Sequence, residues 1–168
     1  MKNSEPTDPA GRPIAILRIF FGLVFLSNGL AKLIPGIAHL PGGYFLIDSA
    51  GALSIIKHNA RHHPVRLYHD LVFNLLAPNW AQFGPVVGVT EVVAGLLLTL
   101  GLASWVGALL GAGLSLHIQF SDANGPWLFE YAVEYVPLLC LAFLHSGRTW
   151  GLDQRMAARA PALRRLFA

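Results

Sequence analysis

Four long apolar stretches constrain the fold of this chain more than any other feature. Hydrophobic residues make up 54% of its 168 residues and charged residues only 12%, whereas about a quarter of the residues in a soluble domain are charged. A stretch of about 20 apolar residues is long enough to cross a bilayer as a helix. The sequence therefore predicts an all-α integral membrane protein, with residues 1–168 forming one domain built as a four-transmembrane-helix bundle.

The ends of the apolar stretches are marked by residues that do not continue a helix. Pro35 and Gly36 follow the first stretch, and the turn sequence SDANGP separates the third stretch from the fourth. The second and third stretches are joined by so short a connection that they must form an antiparallel hairpin. The predicted spans are residues 14–34, 83–101, 105–120 and 127–145.

The long first connection is too apolar to be a free loop. Its apolar residues recur at three- and four-residue steps, a pattern typical of amphipathic helices. One helix is predicted at about 49–60, with Asp48 or Ser49 as its cap, and another at about 65–77. We expect these two interfacial helices to cover the outer mouth of the bundle.

Lysine and arginine are distributed unequally between the two sides of the predicted bundle. An even number of spans puts both termini on one side. That side carries Lys2, Arg12, Arg148, Arg155, Arg159, Arg164 and Arg165, whereas the other carries Lys57, Arg61 and Arg66. Basic residues gather on the cytoplasmic side of membrane proteins, so we expect both termini to be cytoplasmic. The basic flank also accounts for the formal net charge of +3, so the expected partner is the lipid bilayer and no nucleic acid is expected.

Polar side chains inside the spans are the candidate functional groups, because a charged group facing lipid costs about 2.5–3.5 kcal/mol even on the gentler scale. They are Asn28, Lys32, Glu91, His117, Glu130 and Glu134. With a rise of ~1.5 Å per residue, all six lie in the outer half of the membrane. We expect them to converge in a pocket inside the bundle that opens outward. Arg18 lies near the cytoplasmic end, where its side chain is expected to reach the interface.

The acids in this set outnumber its one lysine, and a surplus of carboxylates suits a site that exchanges protons. In this interpretation Glu91, Glu134 and His117 carry out catalysis by moving protons. Asn28, Lys32 and Glu130 bind the cofactor, a quinone, or a small anion. The alternative that the same groups form a buried network that only fixes the helix register stays open.

Other kinds of site have weaker support in the sequence. His58, His62 and His63 are spaced so that two could share a helix face, but no third ligand stands at a set spacing, so no metal site is predicted. No pair of transmembrane histidines lies at one depth, so no haem is predicted. Cys140 is the single cysteine, which excludes an intramolecular disulfide.

Three sequence motifs resemble those of the DoxX/DoxD superfamily of small four-span bacterial membrane proteins. The run ILRIFFGLVFLSNGLAKL is similar to the first helix of that family, with Arg18, Gly22, Phe25, Gly29 and Lys32. The pattern E-x3-G-x2-L-x2-G follows at Glu91, Gly95, Leu98 and Gly101, and the segment GRTWGLD contains Gly147, Arg148 and Asp153. One branch of the family includes the DoxD subunit of thiosulfate:quinone oxidoreductase, so the resemblance implies a protein of the bacterial plasma membrane that is linked to quinones.

The residues and the resemblance together favour a membrane subunit of a respiratory or sulfur-oxidising redox assembly, which handles a quinone or a small anion in an outer-facing polar pocket. Such a protein would be a quinone-linked oxidoreductase subunit. The sequence shows no electron carrier of its own, so an electron-donating protein partner is expected. Two alternatives stay open: a non-catalytic accessory or assembly subunit of a larger membrane complex, and a small-molecule or proton-coupled transporter.

Overall fold

The computed structural model describes residues 11–43, 46–123, 130–144 and 146–159, and every regular element in these ranges is helical. The main helices are α1 (Gly11–Leu33), α2 (Ser49–Arg61), α3 (Arg66–Leu71), α4 (Trp80–Leu100), α5 (Ser104–Ser121), α6 (Ala132–Phe143) and α7 (Asp153–Arg159). Short 3-10 turns occur at Ile37–His39 and Ser146–Arg148, and a π-helical segment, Val72–Leu76, extends α3.

The predicted helices lie where the sequence placed them. The helices α1, α4 and α5 match the first three predicted spans to within a few residues, and α6 covers the central part of the fourth. Helices also occupy the two segments predicted in the first connection, as α2 and the extended α3. Asp48 is the cap of α2, because its Oδ1 accepts a hydrogen bond from the backbone N–H of Gly51 at 2.7 Å. Parts of two predictions, residues 127–129 and 145 of the fourth span and the ends of the basic flank, lie outside the described residues.

Within the described ranges, α1 and α4 are long and apolar enough to cross a membrane. The helix α6 is a shorter apolar helix. By length and composition, therefore, two helices of the described ranges are candidate spans.

The outward faces of the four helices α1, α4, α5 and α6 are apolar. Exposed large hydrophobic side chains include Ile16, Phe20 and Leu23 on α1, Val86, Val89, Val93, Leu96 and Leu100 on α4, Leu109, Leu116 and Phe120 on α5, and Val133, Val136 and Phe143 on α6. Soluble monomers rarely expose contiguous apolar surface of this extent. The surface of the bundle is thus more apolar than water favours.

The inward faces, by contrast, carry small residues that bring the helix backbones together. A methyl group on Gly29 of α1 would lie 2.7 Å from Val92 N and 2.8 Å from Gly88 O of α4. Close packing of this kind through glycine is characteristic of helix pairs in membranes. The helices contact one another in the order α1, α4, α5, α6, around a core formed by Phe21, Phe25, Leu98, Ala108, Ala112, Leu138 and Leu141.

The helices α2 and α3 cover one end of the bundle. Asn59 Nδ2 of α2 donates to the hydroxyl of Ser121, which is the last residue of α5, at 3.2 Å. Trp80 Nε1, at the start of α4, donates to the backbone oxygen of Ser49 at 3.0 Å. The helix α2 is therefore fixed where α4 begins and α5 ends, and this end of the bundle is called the outer end below.

Candidate functional site

A buried ion pair joins α1 to α4 toward the outer end. Lys32 Nζ lies 2.8 Å from Glu91 Oε2, and the side chains are 5% and 11% exposed. The two groups reach each other because the backbones of α1 and α4 approach closely at Gly29 and Gly88. Since water hardly screens a pair buried to this degree, each charge depends on the other for its stability.

A second polar contact joins α5 to α6. The hydroxyl of Ser115 donates a hydrogen bond to Glu134 Oε2 at 3.0 Å, and Ser115 is 1% exposed. A hydroxyl satisfies a carboxylate oxygen but does not neutralise its charge. Among the described contacts, Glu134 therefore has a hydrogen-bond donor and no cation.

The two contacts lie at similar heights along the bundle axis. A methyl group on Gly111 of α5 would touch both Phe25 of α1 and Leu138 of α6, so these three residues share one level. One helical turn farther out, α1 reaches Gly29 and α6 reaches Glu134. Gly29 packs against α4 on either side of Glu91. The two carboxylates are consequently within about one turn, ~5 Å, of each other along the axis.

We call Lys32, Glu91, Ser115 and Glu134 the polar layer. It contains one cation and two acids, and each of the helices α1, α4, α5 and α6 contributes one residue. The surplus of acid that the sequence indicated is therefore present at a single level of the bundle.

Asn28 belongs to the same stretch of α1, but it binds the chain itself. Its Oδ1 accepts a hydrogen bond from the backbone N–H of Ile47 at 3.1 Å, and its Nδ2 donates to Val24 O at 3.0 Å. Both ends of the amide are engaged, and the hydrogen bond at Oδ1 fastens the segment before α2 to α1. In this structure Asn28 positions the segment that leads into α2 at the outer end of the bundle.

His117 and Glu130 lie at the surface, away from the polar layer. The buried face of α5 includes Gly111 and Ser115. Residue 117 follows two positions after Ser115, which turns it by about 200° around the helix. The ring of His117 lies 6.1 Å from that of Tyr68 on α3. Glu130 precedes the first turn of α6 and is exposed. The expectation that all six polar groups meet inside the bundle is wrong for these two.

The expectation for Arg18 is also wrong, because its side chain is completely buried at the opposite end of the bundle. Its Nη1 donates to Leu98 O at 2.6 Å, and its Nη2 donates to Thr149 O and Trp150 O, each at 3.3 Å. Arg18 lies on the same buried face of α1 as Gly22, and this spacing points it inward. The guanidinium thus binds the last turn of α4, where a cation meets the negative end of the helix dipole.

Asp153 is a second structural residue at that end, and the sequence showed it only as part of a motif. Its Oδ1 accepts from Ala103 N at 2.6 Å, and its Oδ2 accepts from both the backbone N–H and the hydroxyl of Ser104, at 3.2 and 3.0 Å. Ala103 has the left-handed φ of 43°. Asp153 therefore caps the start of α5 from a distant part of the chain and holds the turn after Gly101.

Among the described residues, which include the histidines of the first connection, no group of three His, Cys, Asp or Glu side chains comes together. His63 is buried. Its Nδ1 accepts from Val65 N–H at 3.1 Å, so its Nε2 carries the proton and donates to Phe120 O at 2.8 Å. Burial raises the pKa of the neighbouring Tyr68 hydroxyl, an effect that the nearby Ser121 hydroxyl partly offsets. This cluster attaches α3 to the outer end of α5.

Two surface hollows lie away from the polar layer. One, of about 290 Å³, runs along the basic side of α2 by Lys57, His58 and Arg61. The other, of about 430 Å³, lies at the end of the bundle opposite α2 and α3, beside Trp150 and Arg155. None of the six residues predicted for the site lines either hollow.

No family model, curated protein or solved structure matches this chain. The functional interpretation therefore depends on the residues themselves.

Proposed function

We propose that the chain is a four-span bundle of the bacterial plasma membrane, with α1, α4, α5 and α6 as its spans and both termini in the cytoplasm. The resemblance to the DoxX/DoxD superfamily implies this arrangement. It is supported by the lengths of α1 and α4 and by the apolar outward faces of all four helices. An apolar surface of this kind is stable in contact with lipid. The small and polar residues face the interior of the bundle.

Within that bundle, the polar layer handles a quinone or a small anion as part of a respiratory or sulfur-oxidising redox assembly. The observation that carries this proposal is the second carboxylate: Glu134 lies at the level of the Lys32–Glu91 pair, and its contact among the described residues is a hydrogen bond from the Ser115 hydroxyl rather than an ion pair. Reduction of a quinone consumes two protons with two electrons. A carboxylate that is not neutralised by a cation can deliver such protons.

The structure changes the roles assigned from the sequence. Lys32 is already paired with Glu91, so a ligand carbonyl or anion would meet Lys32 only by competing with that carboxylate. Glu134 is then the group that exchanges protons with the ligand. Glu91 is the group whose negative charge balances the positive charge of Lys32. An electron-donating partner subunit is required, because the proposed chemistry assigns this chain protons and not electrons.

The test uses the protein in its native complex, extracted in mild detergent and analysed for bound quinone and partner chains. Turnover per complex is then measured with a water-soluble quinone for wild type, Glu134→Gln and Glu130→Gln. The two variants remove the same charge from the same part of the chain. Loss of a proton-transferring group lowers the rate by about 100-fold or more, so we expect this loss in Glu134→Gln and a rate near wild type in Glu130→Gln. Equal rates in all three complexes would overturn the proposal.

A non-catalytic accessory subunit is the second candidate, and the closed contacts favour it. Lys32 is paired with Glu91, both ends of the Asn28 amide are engaged, and Arg18 and Asp153 hold helix ends. In that case Glu134→Gln would reduce the amount of assembled complex and leave the turnover of each complex unchanged. Uptake of a solute into vesicles without an electron donor would instead favour a transporter.

A further inference from the structure

The hollow of about 430 Å³ at the end of the bundle opposite α2 and α3 has two kinds of wall. Thr99 and Leu100, from the last turn of α4, line one side. Trp150, Leu152, Gln154 and Arg155, from the turn before α7 and from α7 itself, line the other. The hollow therefore lies where the lipid-facing surface of α4 meets the basic flank of the chain.

The buried Arg18 fixes the shape of this hollow from inside. By donating to Thr149 O and Trp150 O, its guanidinium holds the turn that carries the indole. Trp150 has the left-handed φ of 53°, which is uncommon for a residue with a side chain. A second anchor comes from Leu152 N–H, which donates to Leu100 O at 3.0 Å. The indole is consequently presented outward, 61% exposed, by a turn that is fastened to α1 and α4.

The chemistry of the walls changes from apolar to polar along the bundle axis. Leu100 is 47% exposed, and Leu96, one turn farther into the bundle, is 42% exposed, so an apolar strip leads away from the hollow. Gln154 and Arg155 are exposed at the other edge and offer an amide and a guanidinium. Tryptophan is enriched at the level of lipid headgroups. An occupant that fits all three features has an acyl chain, a glycerol region and an anionic headgroup.

We propose that this hollow binds one anionic phospholipid, with its phosphate at Arg155 and Gln154, its glycerol region against Trp150, and an acyl chain along Leu100 and Leu96. The guanidinium fork matches two phosphate oxygens at once. This inference rests on the membrane location proposed above and is independent of any quinone chemistry. A negative result in the quinone assay leaves it unchanged.

The experiment is a lipid competition followed by native mass spectrometry of the full-length protein in detergent. The protein is stripped of lipid, then mixed with equal amounts of phosphatidylglycerol and phosphatidylcholine of the same acyl chains. We expect wild type to retain one phosphatidylglycerol in preference to phosphatidylcholine. Arg155→Gln should weaken that retention about fivefold, the effect of one basic residue near a lipid surface.

Arg12→Gln is the matched control, because Arg12 is exposed at the same end of the bundle but does not line the hollow. It removes the same charge and should retain phosphatidylglycerol as wild type does. Trp150→Leu should weaken retention of both lipids, and circular dichroism shows whether that variant stays folded. Equal retention of the two lipids by wild type, or equal losses in Arg155→Gln and Arg12→Gln, would overturn the proposal.

Discussion

Breaking the Lys32–Glu91 pair from one side should destabilise the bundle far more than replacing both partners. The two side chains are 5% and 11% exposed and their charged atoms are 2.8 Å apart, so removing one leaves the other charge buried. That loss costs about 3–5 kcal/mol in known proteins, whereas replacing a buried pair with apolar residues of similar size is often neutral. Lys32→Met and Glu91→Met keep approximately the volume of each side chain.

The free energy of unfolding is measured by reversible denaturation in mixed micelles, followed by circular dichroism, for wild type, both single variants and the double variant. We expect each single variant to lose about 3 kcal/mol and the double variant about 1–2 kcal/mol, which gives a coupling energy of about 4–5 kcal/mol. Thr90→Val, an uncharged change at a half-buried position of α4 whose hydroxyl donates to Val86 O of the same helix, controls for general effects on that helix and should cost less than about 1 kcal/mol. Additive single losses would refute the reasoning, because additivity means that the two charges do not stabilise each other.

Three further predictions concern the contacts that hold the helices together. Arg18→Met removes the three hydrogen bonds of a buried guanidinium and should lower the free energy of unfolding by about 3 kcal/mol or more, measured by the same denaturation. Asp153→Asn should cost about 1–2 kcal/mol in that assay, because an amide replaces the carboxylate that caps α5, and an unchanged value would contradict the cap. Gly29→Ala places a methyl group 2.7 Å from Val92 N and should reduce thermal stability, whereas Gly113→Ala, which meets nothing within 4 Å, should raise stability by about 0.5–1 kcal/mol. The same shift in both glycine variants would contradict the close approach of α1 and α4.

Most of the helical architecture was predictable because its signals are local. Pro35 and Gly36 follow α1, and Asp48 stands at the position where a side chain accepts from the first turn of α2. Hydrophobic length located the long helices, since an apolar stretch needs no knowledge of its neighbours. The short α7 carries few apolar residues and was not predicted, because the partners of its first residue, Asp153, are Ala103 and Ser104, which are distant in the sequence.

The site was predictable only in part, because the sequence predicts how far along a helix a residue lies more reliably than which face of the helix it occupies. Lys32 and Glu91 were both placed in the outer half of the membrane, and they form an ion pair. His117 was also placed at the correct end, but its angle from Ser115 turns it away from the interior. The spacing of the small residues on α5 contained that information.

The prediction for Arg18 was wrong in the opposite sense, because its side chain was expected at the interface and lies in the interior. Its depth near one end suggested that its side chain escapes to the interface, yet its spacing from Gly22 and Phe25 places it on the buried face of α1. The carbonyl oxygens that bind it belong to Leu98, Thr149 and Trp150, which are distant in the sequence. Such partners follow from the tertiary fold and cannot be found from local pattern alone.

The central claim, that Glu91 and Glu134 lie at one level inside a membrane-spanning bundle, is tested most directly by measuring depth in the bilayer. Single cysteines replace the exposed Val89 on α4 and Val133 on α6, each next to the level of the polar layer, in a Cys140→Ser background. Spin labels at these two positions are compared in liposomes by their collision rates with oxygen and with a water-soluble nickel complex. We predict that both labels favour oxygen, at depths within about one helical turn, ~5 Å, of each other. A label at either position that favours the nickel complex, or depths that differ by half the thickness of the membrane, would contradict the claim.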